Sequence, residues 1–189
     1  VSEISKMIKN HNAKTGKAVQ FGISPFGIYK HKALHGEGTN TPVGSSESYS
    51  GSAGYADTVK WMEEGLVDYV IPQIYWAFTT GAAPYGEIAR WWSEMGEKTN
   101  THVYVGHPNY KLTTMWIKAP EFLNPEEINN QVKFNQTLKG INGSSIFSYE
   151  HLNKVDVNAK GADDFSKLKY KGLNDSIDIL RKDTFSTKS

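Results

Sequence analysis

The stretch YADTVKWMEEGLVDYVIPQIYW, residues 55–76, decides the fold of this chain. Its first half places Tyr55, Val59 and Met62 at helical spacing, and Gly65 is a typical residue to end a helix. A short apolar run, VDYVI, follows at once and leads into proline, amide and aromatic residues. Short apolar runs of this kind are typical of buried parallel strands. The stretch therefore predicts a helix that leads into a strand of a parallel sheet.

The same alternation of helix and strand recurs along the chain. Four strands are predicted, at residues 19–23, 67–71, 102–105 and 144–147. Helical patterns precede or separate them, and a further helix is predicted near the end of the chain; these lie at residues 2–12, 55–64, 85–95, 124–138 and 174–182. Successive strands start 48, 35 and 42 residues apart, which fits right-handed crossovers between parallel strands.

Four such units make half of an eightfold barrel. The sequence therefore predicts an α/β fold, the C-terminal half of a TIM (β/α)8 barrel, over residues 1–157. Residues 158–189 are predicted to form a C-terminal helix and a frayed tail. An open four-stranded sheet is the alternative, but no glycine-rich phosphate-binding sequence follows any strand, so a Rossmann-type nucleotide site is not expected. Half a barrel exposes two sheet edges, so we expect a homodimer or poor solubility.

Composition excludes several classes of function. The 189 residues carry 21 basic and 20 acidic side chains, which gives no electrostatic basis for binding nucleic acid. The chain has no cysteine, so disulfides and cysteine-ligated zinc are excluded. The histidines lack metal-ligand spacing, and no nucleophile-elbow motif occurs, so we expect no metal, no cofactor and no serine-hydrolase triad.

Candidate binding residues follow the predicted strands, where chemistry gathers in barrels of this kind. Gln73, Tyr75 and Trp76 form the strongest cluster, because an amide binds sugar hydroxyls and an indole ring packs against a sugar face. Packing inside the barrel mouth is the alternative for the two aromatic residues. Further candidates for binding substrate follow the first and third strands, namely Ser24, Phe26, His107, Asn109 and Tyr110.

Glu150 is the carboxylate that comes directly after a predicted strand. A carboxylate in that position is a candidate general acid, base or nucleophile for cleavage of a glycosidic bond. The alternative is an exposed loop glutamate, or a residue that orients the ligand. Most glycoside hydrolases need two carboxylates, so the second one is expected to come from strands outside this chain.

Five segments carry a family signature: FGISPFGIY at 21–29, the stretch at 55–76, VYVGHPNYK at 103–111, NPEEINNQVKFNQ at 124–136 and GSSIFSYEHL at 143–152. Together they resemble the last four barrel units of the tenth glycosyl-hydrolase-like family, over about residues 1–155. Members are bacterial proteins of the cell envelope, often lipoproteins or secreted, with a (β/α)8 barrel. The resemblance implies hydrolysis of a glycan, and one branch resembles enzymes that cut peptide-free peptidoglycan.

The resemblance also implies where the glycan lies. The residues that would line or surround the cleft are Gln73, Tyr75, Trp76, Asn109, Tyr110, Tyr149 and Glu150. In the family the fourth strand ends in an Asp-rich segment of the DGIHxDDY kind, and this sequence has none. The expectation is therefore a chain that lacks the N-terminal half of the barrel and is inactive alone. The alternative is a non-catalytic carbohydrate-binding or scaffold protein of the cell envelope.

Overall fold

The computed structural model describes residues 1–50, 54–113 and 119–184. Its centre is one four-stranded sheet in the order β1-β2-β3-β4. All three pairings are parallel. The strands are β1 Gly22–Ile23, β2 Tyr69–Val70, β3 His102–His107 and β4 Gly143–Ile146. With helices flanking the sheet, the predicted α/β class and the parallel strands of a partial TIM-type barrel are confirmed.

Seven α-helices accompany the sheet in the described part of the chain. They are α1 Ser2–Thr15, α2 Lys32–His35, α3 Thr58–Glu63, α4 Tyr85–Thr99, α5 Tyr110–Thr113, α6 Glu127–Asn135 and α7 Asp164–Ile179. Two 3-10 segments, Pro120–Leu123 and Tyr149–Leu152, precede α6 and follow β4. A π-helical turn at Leu180–Thr184 follows α7.

Several element ends differ from the prediction, and caps explain two of them. Helix α3 begins at Thr58 because the Asp57 side chain accepts a hydrogen bond from Lys60 N and so caps the helix. Helix α7 begins about ten residues earlier than predicted, at Asp164, because Asp163 caps it by accepting from Ser166 N. The helix predicted at 174–182 is thus the second half of a longer one. The predicted frayed end, 185–189, lies outside the described residues.

One core lies between the sheet and the helices α3 and α4. Val70, Val103 and Val105 point from the strands into it, and Ile88 and Trp92 of α4 meet them with no exposed surface. The Trp92 indole N–H donates to the carbonyl of Gly27 at 2.6 Å, so its one polar atom is satisfied. This core fixes α4 against the sheet.

A second core joins the end of the chain to the fourth unit. Leu112 and Ile128, from α5 and α6, are buried against Leu173 and Ile177 of α7. Helix α7 is therefore packed onto the other helices, and the separate status of residues 158–189 stays a prediction.

The face of the sheet opposite the helices carries tyrosines. The rings of Tyr69 and Tyr104 meet edge to face at 5.9 Å, and both side chains are partly exposed. Gly22 and Gly143 lie against these rings, and a side chain at either position would clash with them or crowd them. This is the face that fills the interior of a closed barrel. Among the described residues, β1 and β4 each pair with one strand, which leaves two sheet edges open.

Candidate functional site

The carboxyl ends of β1 and β2 hold the cluster that the sequence favours. Phe26, Gln73, Tyr75 and Trp76 line one open cavity of about 170 Å³, together with Gly27 and Ser46. Residues beyond the two strands stay in parallel register, because Phe26 bridges to Gln73 and Gln73 to Gly106. The structure therefore brings the predicted residues of these two units into one place.

Gln73 is held in a fixed orientation at the floor of this cavity. Its Nε2 donates to the carbonyl of Ser24 at 3.1 Å and approaches Ser24 Oγ at 3.3 Å. The Ser24 hydroxyl in turn donates to the carbonyl of Ile71 at 2.8 Å. No described residue donates to the Gln73 side-chain oxygen, so that oxygen remains available to accept from a ligand hydroxyl.

An aromatic wall stands beside the cavity. The ring of Tyr75 lies 5.8 Å from that of Tyr110 and 6.3 Å from that of Phe147, and Tyr110 and Phe147 are 6.1 Å apart. Burial raises the pKa of Tyr75 to about 12 and also raises that of Tyr110. Both hydroxyls are therefore neutral near pH 7. Phe147 is 57% exposed, so the wall presents an apolar surface to solvent.

Phe147 and Lys111 belong to this site although the sequence analysis did not single them out. Phe147 follows β4 immediately and was assigned to the predicted strand. Lys111 Nζ donates to the Tyr75 carbonyl at 2.5 Å and lies 5.2 Å from the centre of the Phe122 ring. Burial lowers the pKa of Lys111. The only sequence signal for the lysine was its place directly after Tyr110 in the loop beyond β3.

Helix α6 fixes the backbone that carries the cavity. Glu127 Oε1 accepts from Phe78 N at 3.0 Å, and Gln131 Nε2 donates to the carbonyl of Trp76 at 3.1 Å. The two side chains also bond each other at 2.9 Å, and both are buried. We call Glu127 and Gln131 the α6 clamp. It holds the loop beyond β2 at two backbone groups, and buried groups that are satisfied in this way make a loop rigid.

His107 supports the α6 clamp and does not line the cavity. It is fully buried, with Nδ1 at 2.9 Å from Gln131 Oε1 and Nε2 at 2.9 Å from Ser144 Oγ. Burial lowers the pKa of His107 to about 4, so the ring is neutral near pH 7. Because the Gln131 oxygen can only accept, Nδ1 carries the proton and Nε2 accepts from the Ser144 hydroxyl. The structure thus places this predicted ligand contact in the core.

The remaining predicted residues lie around the end of β4. Asn109 is fully buried, and its Nδ2 reaches the carbonyl of His151 at 3.5 Å. Tyr149 is 80% exposed and lines a different cavity, of about 170 Å³, beside Leu152 and Ile177. The structure does not bring Asn109 or Tyr149 into the cavity with Gln73.

Glu150 lies in the 3-10 turn after β4 and is not among the residues that line the cavity with Gln73. Its side chain is 77% exposed, and its Oε1 lies 3.2 Å from His151 Nε2 and 3.3 Å from Ser148 Oγ. The site thus combines an aromatic wall with a fixed amide, an arrangement that can hold a sugar. Within the described ranges, no three His, Cys, Asp or Glu side chains gather to bind a metal ion, and no helix is long and apolar enough to cross a membrane.

Comparison with known proteins defines the class to which the chain belongs. The sequence model of the family described as Glycosyl hydrolase-like 10 matches residues 1–124, which is more than half of the chain. The chain therefore belongs to the glycosyl hydrolase-like 10 family, and the expected resemblance is confirmed.

Two named relatives give the comparison more detail. The chain is 38% identical over 161 residues to "Glycosyl hydrolase YngK" of Bacillus subtilis strain 168, a match that covers 85% of this chain and 30% of that protein. It is 34% identical over 157 residues to "Glycosyl hydrolase DigH" of Escherichia coli K12, covering 82% of this chain and 34% of that protein. The chain spans about a third of the length of these relatives. Family and relatives indicate a glycosidase-related function.

Proposed function

We propose that this chain is the glycan-holding part of a glycoside hydrolase that acts on bacterial cell-wall glycan, with peptide-free peptidoglycan as its substrate. One observation carries the proposal: Gln73, Tyr75 and Trp76 lie together at the strand ends, beside the aromatic wall. Aromatic faces pack against the C–H faces of sugars, and an oriented amide selects hydroxyls or acetamido groups. The site of action on this proposal is the cell envelope or the extracellular space.

On this proposal the chemistry is shared with barrel strands outside this chain. Glu150, in the turn after β4, supplies one carboxylate, and the second comes from the N-terminal half of a closed barrel. The open edges of β1 and β4 and the tyrosine-lined face of the sheet support the need for such a half. Closure of the sheet into a barrel with further strands would pair both open edges, which supports a missing N-terminal half.

Binding to peptide-stripped peptidoglycan tests the first step. The chain should co-sediment with the insoluble glycan, and Trp76→Ala should reduce the bound fraction several-fold because it removes an apolar surface of the cavity. Trp61→Ala is the matched control, since Trp61 lies on α3 and does not line this cavity. Equal binding by all three proteins would contradict the proposed role of the strand-end cluster.

Release of soluble fragments from the same glycan tests the second step. A longer protein that includes this chain and the other barrel strands should release fragments, and Glu150→Gln should abolish the release. This chain alone should release none. Fragment release by this chain alone that survives Glu150→Gln would refute the shared site.

A non-catalytic carbohydrate-binding protein of the cell envelope is the second candidate. It is favoured by the exposure of Glu150 and by its pairing with His151 at 3.2 Å. No carboxylate is among the described residues that line the strand-end cavity. Glycan binding without fragment release by the longer protein would select this function.

A further inference from the structure

A second and larger cavity lies on the helix-covered side of the sheet. It has a volume of about 600 Å³ and opens between α3 and α4, under residues 29–38 of the loop that follows β1. Its lining shares no residue with the strand-end cavity. Small-molecule sites in proteins have volumes of about 300–1,000 Å³, so this cavity is large enough to hold a ligand.

Trp91 forms the aromatic floor of this cavity. Its ring stacks on that of Tyr29, with centroids 5.6 Å apart and planes 16° from parallel. Trp92 also contacts it edge to face, with ring centroids 5.0 Å apart. Trp92 is fully buried, whereas Trp91 remains partly exposed to the cavity. The two neighbouring tryptophans thus differ in role, since Trp92 fills the core and Trp91 offers a fixed apolar surface.

Asp57 brings a hydrogen-bonding group to the edge of that surface. Its Oδ1 accepts from the Tyr29 hydroxyl at 2.6 Å and from Lys60 N at 3.4 Å. Burial and the Asp57 carboxylate raise the pKa of Tyr29, so the tyrosine remains a donor. No described residue donates to Asp57 Oδ2. The carboxylate is therefore fixed through one oxygen and leaves the other to accept from a ligand.

The rim of the cavity is charged, and three of its four carboxylates pair with lysines, Glu64 with Lys60 at 3.9 Å. Glu37 pairs with Lys30 at 2.5 Å, and Glu63 pairs with Lys98 at 2.8 Å. Neutralised carboxylates do not hold a free cation well, and they disfavour an anion such as a phosphate. The paired carboxylates can still accept hydrogen bonds from ligand hydroxyl groups, and the lysine ammonium groups can donate to ligand hydroxyl oxygens. An uncharged ligand with many hydroxyls and one apolar face matches this combination.

We propose that the cavity between α3 and α4 is a second saccharide-binding site, with Trp91 as the stacking platform and Asp57 as the main hydroxyl acceptor. The site stands apart from the strand ends, and its binding does not depend on hydrolysis there. Two sites on one chain raise the effective concentration of a polymeric glycan at each of them. The second site would therefore retain a long glycan chain near the first.

Titration of the indole N–H resonances of the five tryptophans tests this proposal. The probes are tri-N-acetylchitotriose and cellotriose, each at millimolar concentration, with resonances assigned by single Trp→Phe variants. A saccharide should shift the Trp91 resonance in the native chain and equally in Trp76→Ala. Shifts confined to Trp76, or no shift at Trp91 with either probe, would overturn the proposal.

Two variants separate loss of binding from loss of fold. Asp57→Asn keeps the size of the side chain and should weaken the Trp91 response about 5-fold or more, as expected when a hydrogen bond to a charged acceptor is weakened. Trp91→Ala should abolish the saccharide-induced shifts of the backbone amides of Val59 and Met95, which line this cavity, while Trp76 still responds. A urea unfolding midpoint close to that of the native chain shows that the core remains folded in both. A native-like titration in Asp57→Asn would contradict the assigned acceptor.

Discussion

Replacing His107 by asparagine is expected to reduce the loss of unfolding free energy that the chain shows as the pH falls from about 7 to about 4. The ring of His107 is fully buried between Gln131, Ser144 and the stacked ring of Tyr85, whose centroid is 6.0 Å away. Gln131, which accepts from the His107 ring, also donates to the Glu127 carboxylate at 2.9 Å. Burial is the main cause that lowers the pKa from 6.5 to about 4, and the hydrogen bond to Gln131 opposes it.

The sign of this pH dependence follows from the lower proton affinity of His107 in the folded chain. Because the pKa of His107 is lower in the folded chain than in the unfolded chain, the folded state favours the neutral ring. The contribution to stability is complete above about pH 6.5 and is lost as the pH falls towards 4. A depression of the pKa from 6.5 to about 4 corresponds to about 3 kcal/mol.

Urea unfolding, followed by tryptophan fluorescence between about pH 7 and about pH 4, measures this quantity. The difference in unfolding free energy between the native chain and His107→Asn should shrink by about 3 kcal/mol over that range. His102→Asn is the matched control, since His102 is an exposed histidine on the same strand. Parallel pH profiles for the native chain and His107→Asn would refute the reasoning.

Three further predictions concern packing and assembly. Gly140→Ala should lower the unfolding free energy in the same urea assay by at least about 2 kcal/mol, because the added Cβ would overlap the Ser93 backbone. Gly81→Ala is the control and should lower it by less than about 1 kcal/mol, because a Cβ there meets open space. Leu173→Ala should cost about 2–5 kcal/mol if α7 is part of the fold, whereas Leu168→Ala, at an exposed position of the same helix, should cost little. A sedimentation experiment should show a homodimer formed through the open sheet edges, and a well-behaved monomer at high concentration would contradict this.

The order of helices and strands could be predicted because each of them is marked by a pattern of residues that are close together in the sequence. Apolar runs such as the one at 67–71 mark buried strands, and the spacing of Ile88, Trp91 and Trp92 marks an amphipathic helix. The strands β1 and β2 are nevertheless only two residues long. Strand length depends on hydrogen bonds to a neighbour, which a local pattern does not record. Helix α7 starts about ten residues earlier than predicted because Asp163 caps it.

The candidate site was predictable only in part. Gln73, Tyr75 and Trp76 follow a strand directly, so their shared position could be deduced from the sequence. His107 was predicted to contact substrate because the third strand was predicted to end at 105, whereas β3 continues to His107. Side chains alternate along a strand, so His107 shares the helix-facing side of Val103 and Val105. The α6 clamp could not be predicted from the sequence, because its hydrogen bonds join residues that are far apart in the chain.

The α6 clamp has a consequence for the order in which the protein becomes functional during synthesis. Phe78 and Glu127 are 49 residues apart, and Trp76 and Gln131 are 55 apart. As the chain leaves the ribosome from its N-terminus, β2 and its loop emerge well before the helix that fixes them. The loop then has two backbone groups without their final partners. We expect that the strand-end surface takes its final shape only after α6, residues 127–135, has left the ribosome and can bond to this loop.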